Sequence, residues 1–461
     1  MARYRRDMLR PALTALAALA LALAACGYPY TPPVLTSVSQ AAGPAVVQPP
    51  LPLPFADAQV PPPAPLPTTA SASDAVPLIL VSIDGFRADY LDRGITPTLS
   101  RLAAGGVRAD MRPAFPSKTF PNHWTLVTGL VPDRHGIVAN AFNDAARPGE
   151  RFTMTSEDPF WWNAAEPLWV TAEKAGIPTA TMFWPGSSVG WGGTRTSKSD
   201  DTVGGTYPRD WWPFGSEVTD AQRVRGVLDW LRRPAAERPR FITLYFEEVD
   251  HAGHDFGPDA AQTNAAIAAA DQSIGALVSG LAALGQRANL VIVADHGMAA
   301  TSSERVIPLD QLVPPADATV DESGPYATLI PTAGREAAVA AALLTKHDHM
   351  RCWRKENIPA RFHYGSNPRI PPFLCLADVG WLINKSAPRD RFTGGNHGYD
   401  NQAPEMRALF VASGPGFVGG RRLAPFDNVD VAPLLRDLLG LPAGQRLDGD
   451  DQPFRRVLRR D

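Results

Sequence analysis

The chain is poor in cysteine: of 461 residues only Cys26, Cys352 and Cys375 are cysteine, and none stands in a CxxC pair. That excludes a disulfide-dense scaffold and a cysteine-based zinc framework. Charge of one sign is also lacking, with 44 Lys and Arg against 47 Asp and Glu and a net charge of −3. Without a basic field, no specific nucleic-acid partner is expected. No internal repeat occurs. The apolar run at residues 11–25 is short for a membrane span, which takes about 20 residues. What the chain does have is 44% hydrophobic residues and 46 prolines. The first is ample for a large core and excludes a wholly disordered chain.

The proline is unevenly placed. Residues 27–76 hold Pro32-Pro33, Pro49-Pro50 and Pro61-Pro62-Pro63, with almost no charge and no apolar periodicity. Such a segment reads as an extended tether, partly polyproline II, reaching at most roughly 150 Å. Before it, Arg3, Arg5, Arg6 and Arg10 lead into the apolar run, and Leu23-Ala24-Ala25 precede Cys26. A positive start, an apolar stretch and small residues before a cut describe a secretion signal over residues 1–26. The Cys after Leu-Ala-Ala is similar to the lipobox of bacterial lipoproteins, which implies a lipidated N-terminus at Cys26. The alternative is an ordinary cleaved signal. The chain is expected in the bacterial cell envelope, lipid-anchored and facing the periplasm, or secreted if Cys26 carries no lipid. In that oxidising setting Cys352 and Cys375 favour a disulfide, worth about 3 kcal/mol, over two buried free thiols.

The folded part begins at about residue 77 and is expected to run to about 450. Pro77 to Ile83 is a short apolar run ending in Asp84-Gly85, a buried parallel strand with a polar residue at its carboxyl end. Residues 240–246 and 288–294 repeat the pattern, followed by Glu247-Glu248-Val249-Asp250 and by Asp295-His296-Gly297; residues 407–412 are a fourth strand. Thr96 can cap a helix over 96–104 with Pro97 in its first turn. Residues 259–284 carry Ile267, Ile274, Leu277, Leu281 and Leu284 at helical spacing. Strands alternating with helices predict an α/β fold, a doubly wound, mostly parallel sheet with helices on both faces. Ligands then sit beyond the carboxyl ends of the strands. Residues 345–376, rich in Arg, His, Pro and aromatics, break the pattern and read as a small capping insertion.

The chemistry falls at those strand ends: Asp84, Thr119, Asp250, His254, Asp295, His296 and His397. Carboxylates and neutral imidazoles are ordinary ligands for zinc-like ions. Asp250 and His254 are four apart around Gly253, which can turn, and Gly394-Gly-Asn-His397-Gly is a glycine-rich loop that can aim an imidazole. Each residue alone also fits a turn, a cap or a polar surface; three Asp and three His together point to a site. His347, His349 and His363 read as a solvated basic face, with a further metal site as the alternative.

Longer motifs join these residues: Val81-Ser-Ile-Asp84-Gly-Phe-Arg87, Pro116-Ser-Lys-Thr119-Phe-Pro-Asn-His123, Leu126-Val-Thr-Gly-Leu130, His135-Gly-Ile-Val138, Asp250-His-Ala-Gly-His254-Asp-Phe-Gly-Pro258, Asp295-His-Gly-Met298 and Asn396-His-Gly-Tyr-Asp400. Over residues 77 to about 440 the chain resembles the nucleotide pyrophosphatase/phosphodiesterase family of the alkaline phosphatase superfamily. The resemblance implies an alkaline phosphatase-like core and two zinc ions, although other divalent ions suit the same donors. One ion would be held by Asp84, Asp295 and His296 with the Thr119 oxygen, the other by Asp250, His254 and His397. It implies Thr119 as nucleophile through a covalent phospho-threonine, and Asn140 as a phosphate-oxygen donor. Phe120 matches a base-stacking position, with core packing as the alternative, and Tyr207 would be a second wall. His123 and His135 are implied to be structural, Trp184 to be scaffold, and His251 to face outward. The substrate implied is a small phosphodiester or nucleotide. A phosphomonoesterase, which needs extra cations, finds no Arg or Lys at a matching motif; a choline or lipid headgroup phosphodiesterase and a non-catalytic envelope protein are further alternatives. A sulfatase is disfavoured because no Cys-x-Pro-x-Arg occurs. The protein is expected to be a monomer that meets the membrane only through its N-terminal lipid.

Overall fold

The structure is a computed structural model that describes residues 76–196, 202–442 and 446–459. The signal at 1–26 with Cys26, and the tether at 27–76 but for its last residue, lie outside the described residues. The core is a nine-stranded sheet running, from one edge, Asp210–Trp212, Thr179–Met182, Phe241–Phe246, Leu78–Ile83, Asn289–Val293, Ala408–Ser413 and Val107–Arg112, with the short Arg421–Arg422 and Phe426–Asp427 beside the last. The sheet is mostly parallel, as expected. Ala408–Ser413 is the exception, antiparallel to both neighbours. The three strands read first from the sequence are adjacent: Leu78 pairs with Phe241 on one side and Asn289 on the other. Every residue of these three is buried, which requires helices on both faces. One helix group is Pro97–Gly105, Asp220–Arg232 and Ala261–Ala283; another is Thr119–Thr128, Leu168–Lys174 and Val431–Leu439.

Ala261–Ala283 is long and apolar enough to cross a membrane by length and composition. It packs instead on Pro97–Gly105, Asp220–Arg232 and Glu248–Phe256, burying Ile267, Ile274, Leu277 and Leu281. It also carries the cap that Thr96 does not supply. Thr96 makes no capping bond; the buried Asp271 carboxylate accepts the amides of Thr98 and Leu99 at 3.0 and 2.7 Å. Two first-turn amides are satisfied from a neighbouring helix rather than from the preceding residue.

The segment 345–376 is not an insertion standing alone. Met350–Arg354 and Phe373–Ala377 are two strands of a four-stranded antiparallel sheet completed by Ala318–Glu322 and Tyr326–Pro331. The lobe has its own core, including Leu329, Val339, Phe373 and Tyr399. Met350–Arg354 is an edge strand with two arginines and a tryptophan, so its sequence lacks clean alternation. Cys352 and Cys375 face each other in register and are joined by a disulfide.

His135 is fully buried: its Nδ1 accepts the Ile137 amide, and its Nε2 lies 3.2 Å from the Pro121 carbonyl oxygen. Burial lowers its pKa from 6.5 to about 3. The unfolded chain therefore binds this proton below about pH 6.5 while the native state refuses it, and stability falls as pH falls. We expect His135→Gln to remove about 1 kcal/mol of the stability lost by wild type between pH 6 and pH 5, read from urea unfolding at the two pH values. An unchanged difference between them contradicts this.

Candidate active site

Three carboxylates are buried at the carboxyl end of the sheet. Asp84 follows Leu78–Ile83 and Asp295 follows Asn289–Val293, the two being 1% and 0% exposed. Asp250 lies in the first turn of helix Glu248–Phe256, directly after Phe241–Phe246. Each keeps one oxygen (Asp84 Oδ1, Asp250 Oδ1, Asp295 Oδ2) buried with no hydrogen-bond partner among the described residues. Burial first, and the neighbouring carboxylates next, push the Asp84 and Asp295 carboxyls well above the usual range.

The histidines face these oxygens with lone pairs. His254 Nδ1 lies 2.9 Å from the Gly395 carbonyl, His296 Nδ1 2.9 Å from that of Gly297, and His397 Nδ1 2.8 Å from that of Ser117. A carbonyl only accepts, so each Nδ1 carries the proton and each Nε2 is bare. His254 Nε2 is 3.1 Å from His397 Nε2 and 3.5 Å from Asp250 Oδ2. His296 Nε2 is 2.9 Å from Asp295 Oδ2 and 3.4 Å from Asp84 Oδ1. Bare nitrogens against bare nitrogens and carboxylates repel unless a cation stands between them, and this donor set fits divalent cations. The two ligand sets expected from the sequence adjoin: Asp84, Asp250 and His296 offer atoms within 4.8 Å of one another, and the His296 and His397 rings stack at 3.5 Å.

Two local expectations are corrected. Gly253 does not turn the chain; it is helical, and Asp250 and His254 share one helix face at i,i+4. Gly394 and Gly395 do not serve to swing His397. They lie in strand Thr393–Asn396, where a Cβ on Gly394 would stand 2.3 Å from the His254 carbonyl oxygen and one on Gly395 2.4 Å from that of Gly253. The glycines let the ligand-bearing helix approach the strand backbone.

Thr119 is the first residue of helix Thr119–Thr128, not its N-cap, which is Lys118. Its hydroxyl therefore caps nothing and lies 3.3 Å from His296 Nε2. Asn140 Oδ1 accepts the Phe120 amide at 2.9 Å, so its NH2 group is held at the same helix start. Phe120 is half-buried against Phe152 and Trp162. Tyr207 stacks on Trp211, with ring centroids 5.9 Å apart, and lies against Gly190. His123 also lies near Asp84 and Asp295. Its Nδ1–H, however, donates to the Thr119 carbonyl and its Nε2 accepts from the Ser82 hydroxyl, so neither nitrogen is free, and burial lowers its pKa to about 3. Trp184 donates to the His123 carbonyl, a scaffold contact, and His251 is exposed. His347, His349 and His363 join no group able to hold a metal among the described residues.

Sequence reasoning missed two residues. Tyr245, inside a wholly buried strand, donates its hydroxyl to Asp84 Oδ2 at 2.7 Å; a single tyrosine near the carboxyl end of a buried strand was the available signal. Lys118 stands in a motif already quoted yet went unassigned. It is nine-tenths buried, its stem lies against Gly398, and its ammonium is 5.9 Å from the centre of the Tyr326 ring. Burial first, and the neighbouring His296 and Lys118 next, hold the His397 pKa well below the usual value.

Residues 78–400 match the model of the type I phosphodiesterase / nucleotide pyrophosphatase family. The chain belongs to that family. A pyrophosphatase/phosphodiesterase of Schizosaccharomyces pombe is 37% identical over 394 residues, 79% of this chain and 77% of its own. The bis(5'-adenosyl)-triphosphatase enpp4 of Xenopus laevis is 37% identical over 381 residues, 82% of this chain and 80% of its own. The structure of human ectonucleotide pyrophosphatase/phosphodiesterase 5 superposes with a TM-score of 0.77 at 34% identity, covering 83% of this chain and 99% of that one. The protein is thus a nucleotide pyrophosphatase/phosphodiesterase with the fold of its family.

Divalent ions should stabilise this pyrophosphatase/phosphodiesterase in proportion to the carboxylates they compensate. At about 100 times its Kd, one bound ion adds about 2.7 kcal/mol. We expect chelator-treated protein to melt lower than protein with added zinc or manganese, and Asp295→Ala to lose part of that gain. Calorimetry with and without the ion reads both; an ion-independent Tm in wild type contradicts the site.

Proposed function

We propose that the protein hydrolyses nucleotide phosphoanhydrides and phosphodiesters with two zinc ions and a covalent phospho-threonine at Thr119. The observation that carries this reading is the set of bare imidazole nitrogens and partnerless carboxylate oxygens gathered at one helix start beside a hydroxyl that caps nothing. Asp84, Asp295 and His296, with Thr119, would hold one ion, and Asp250, His254 and His397 the other. Bound there, the ions would lower the pKa of the Thr119 hydroxyl and offset phosphate charge.

The residues do the rest. Thr119 Oγ forms a bond to phosphorus as the bond to the leaving oxygen breaks, and water then cleaves the Thr119 ester to return the hydroxyl. The Asn140 NH2 group and the Thr119 amide donate to the phosphate oxygens, where charge grows in the transition state. Phe120 and Tyr207 would be the two walls that receive the base; a murine relative in this family has been solved with AMP, in an inactive variant, which supports a nucleotide. The Lys118 ammonium makes no ion pair or hydrogen bond among the described residues; the Glu322 carboxyl feels its charge and the Tyr326 ring lies 5.9 Å away. The phosphate beyond the scissile bond of an anhydride would give this ammonium a direct anionic partner.

A lipid anchor at Cys26 and a periplasmic address belong to the same proposal. The Cys352–Cys375 disulfide supports an oxidising compartment.

Turnover of a nucleotide aryl ester, a dinucleoside polyphosphate, a bis-aryl diester and an aryl monoester by zinc-loaded protein tests the reading. The nucleotide substrates should lead, and Thr119→Ala should lose about a thousandfold or more in kcat. Lys118→Met should cost about tenfold in kcat/KM on the polyphosphate and under about twofold on the bis-aryl diester. A monoester preferred by wild type and lost in Lys118→Met would instead make the enzyme a phosphomonoesterase.

A further inference from the structure

Asn140 sits in a stretch that cannot hold it alone. After the short helix Pro132–His135 the chain is irregular as far as the two-residue strand Phe142–Asn143. A donor that must stay within a fraction of an ångström of its target needs outside anchors. Here they come from one loop, residues 364–369, in the small lobe. The Asp133 carboxylate accepts the amides of Gly365, Ser366 and Asn367 at 3.1, 2.9 and 3.0 Å. Arg369 donates from Nη1 to the Gly136 carbonyl at 2.8 Å and from Nε to Asp144 Oδ2 at 2.7 Å. The Tyr364 hydroxyl donates to the Val138 carbonyl at 3.0 Å. The anchored positions, 133, 136, 138 and 144, bracket Asn140 on both sides.

The loop is itself held. It lies between Met350–Arg354 and Phe373–Ala377, and the Cys352–Cys375 disulfide closes that segment across the two strands. The Arg369 side chain is 9% exposed. Its guanidinium lies 5.3 to 5.5 Å from the ring centres of Phe142, Phe160 and Trp161, and it donates to the Trp161 carbonyl as well. A planar fork with several donors ties three backbone stretches at once, which a lysine cannot do.

We infer that the disulfide-closed segment 352–375 is the positioning element for Asn140, and that Arg369 is its central positioning residue. It sets where the Asn140 NH2 group points without touching substrate. The inference rests on the proposed role of Asn140 as a phosphate-oxygen donor and gives the small lobe a part in catalysis.

A double-mutant cycle on the zinc-loaded full chain separates the two claims. Asn140→Ala should lower kcat on a nucleotide aryl ester about a hundredfold. Arg369→Met should lower kcat about tenfold with KM within about twofold, and adding it to Asn140→Ala should cost less than about twofold more. Tyr364→Phe removes one hydroxyl and no bulk. It should lower kcat severalfold in wild type and not in Asn140→Ala, and it decides the same question if Arg369→Met does not fold. Arg335→Met, which breaks the Arg335–Asp317 pair elsewhere on the lobe, should leave kcat unchanged. If Arg369→Met and Tyr364→Phe slow Asn140→Ala as much as wild type, or act through KM, the positioning inference is overturned while the role of Asn140 stands. If Asn140→Ala leaves kcat unchanged, the donor role falls and the inference with it.

Discussion

The structure turns on three carboxylates crowded into one buried volume. Asp84, Asp250 and Asp295 are brought together by the adjacency of three buried parallel strands, and each leaves an oxygen with no protein donor among the described residues. Removing an ion from water costs several kcal/mol, and each carboxylate raises the cost for the next. The protein does not relieve this with its own cations: no Lys or Arg reaches these oxygens among the described residues. It supplies bare imidazole nitrogens instead, fixed by three backbone carbonyls. Such an arrangement favours positive charge delivered from outside, so the most strained electrostatics of the fold and its candidate metal groups occupy the same volume.

That requirement also explains the antiparallel strand. Asn289–Val293 delivers Asp295 and His296 at the carboxyl end of the sheet, and the chain then builds the small lobe at that end. It returns through His397 and re-enters the sheet where it left, with Val293 opposite Phe410. A chain re-entering from the carboxyl end can only run against its neighbour. The reversal is the topological consequence of placing a candidate ligand, His397, on the returning segment.

Most of this was legible in the sequence because buried parallel strands read as apolar runs, and a run that stops at Asp is visible without a structure. Asp84, Asp250, Asp295 and His296 were found that way. Four things were not legible. The helix cap at Asp271 acts 173 residues away from the amide of Thr98, and nothing local announces it. Tyr245 looked like core because its ring is core; only the hydroxyl is part of the site. The lobe sheet escaped because Met350–Arg354 is an edge strand, whose polar positions are what keep it from pairing further. Thr119 as a residue of the helix rather than its cap was a matter of one position, below the precision with which helix ends can be read.

That one position matters. As an N-cap, Thr119 would turn its hydroxyl onto an amide two or three residues along. As the first helical residue it has no such duty. Pro121, next but one, carries no N–H, and the first helical bond runs from Asn122 to Lys118. Of the first-turn amides only those of Thr119 and Phe120 face outward, and the Phe120 amide is spent on Asn140 Oδ1. Because Asn140 accepts through its oxygen, its NH2 group can still donate, and this single bond trades a backbone donor for a side-chain donor. The helix start is left with the Thr119 amide, the Asn140 NH2 group and a hydroxyl turned to His296 rather than to the backbone, which is the set the proposed attack on phosphorus calls for.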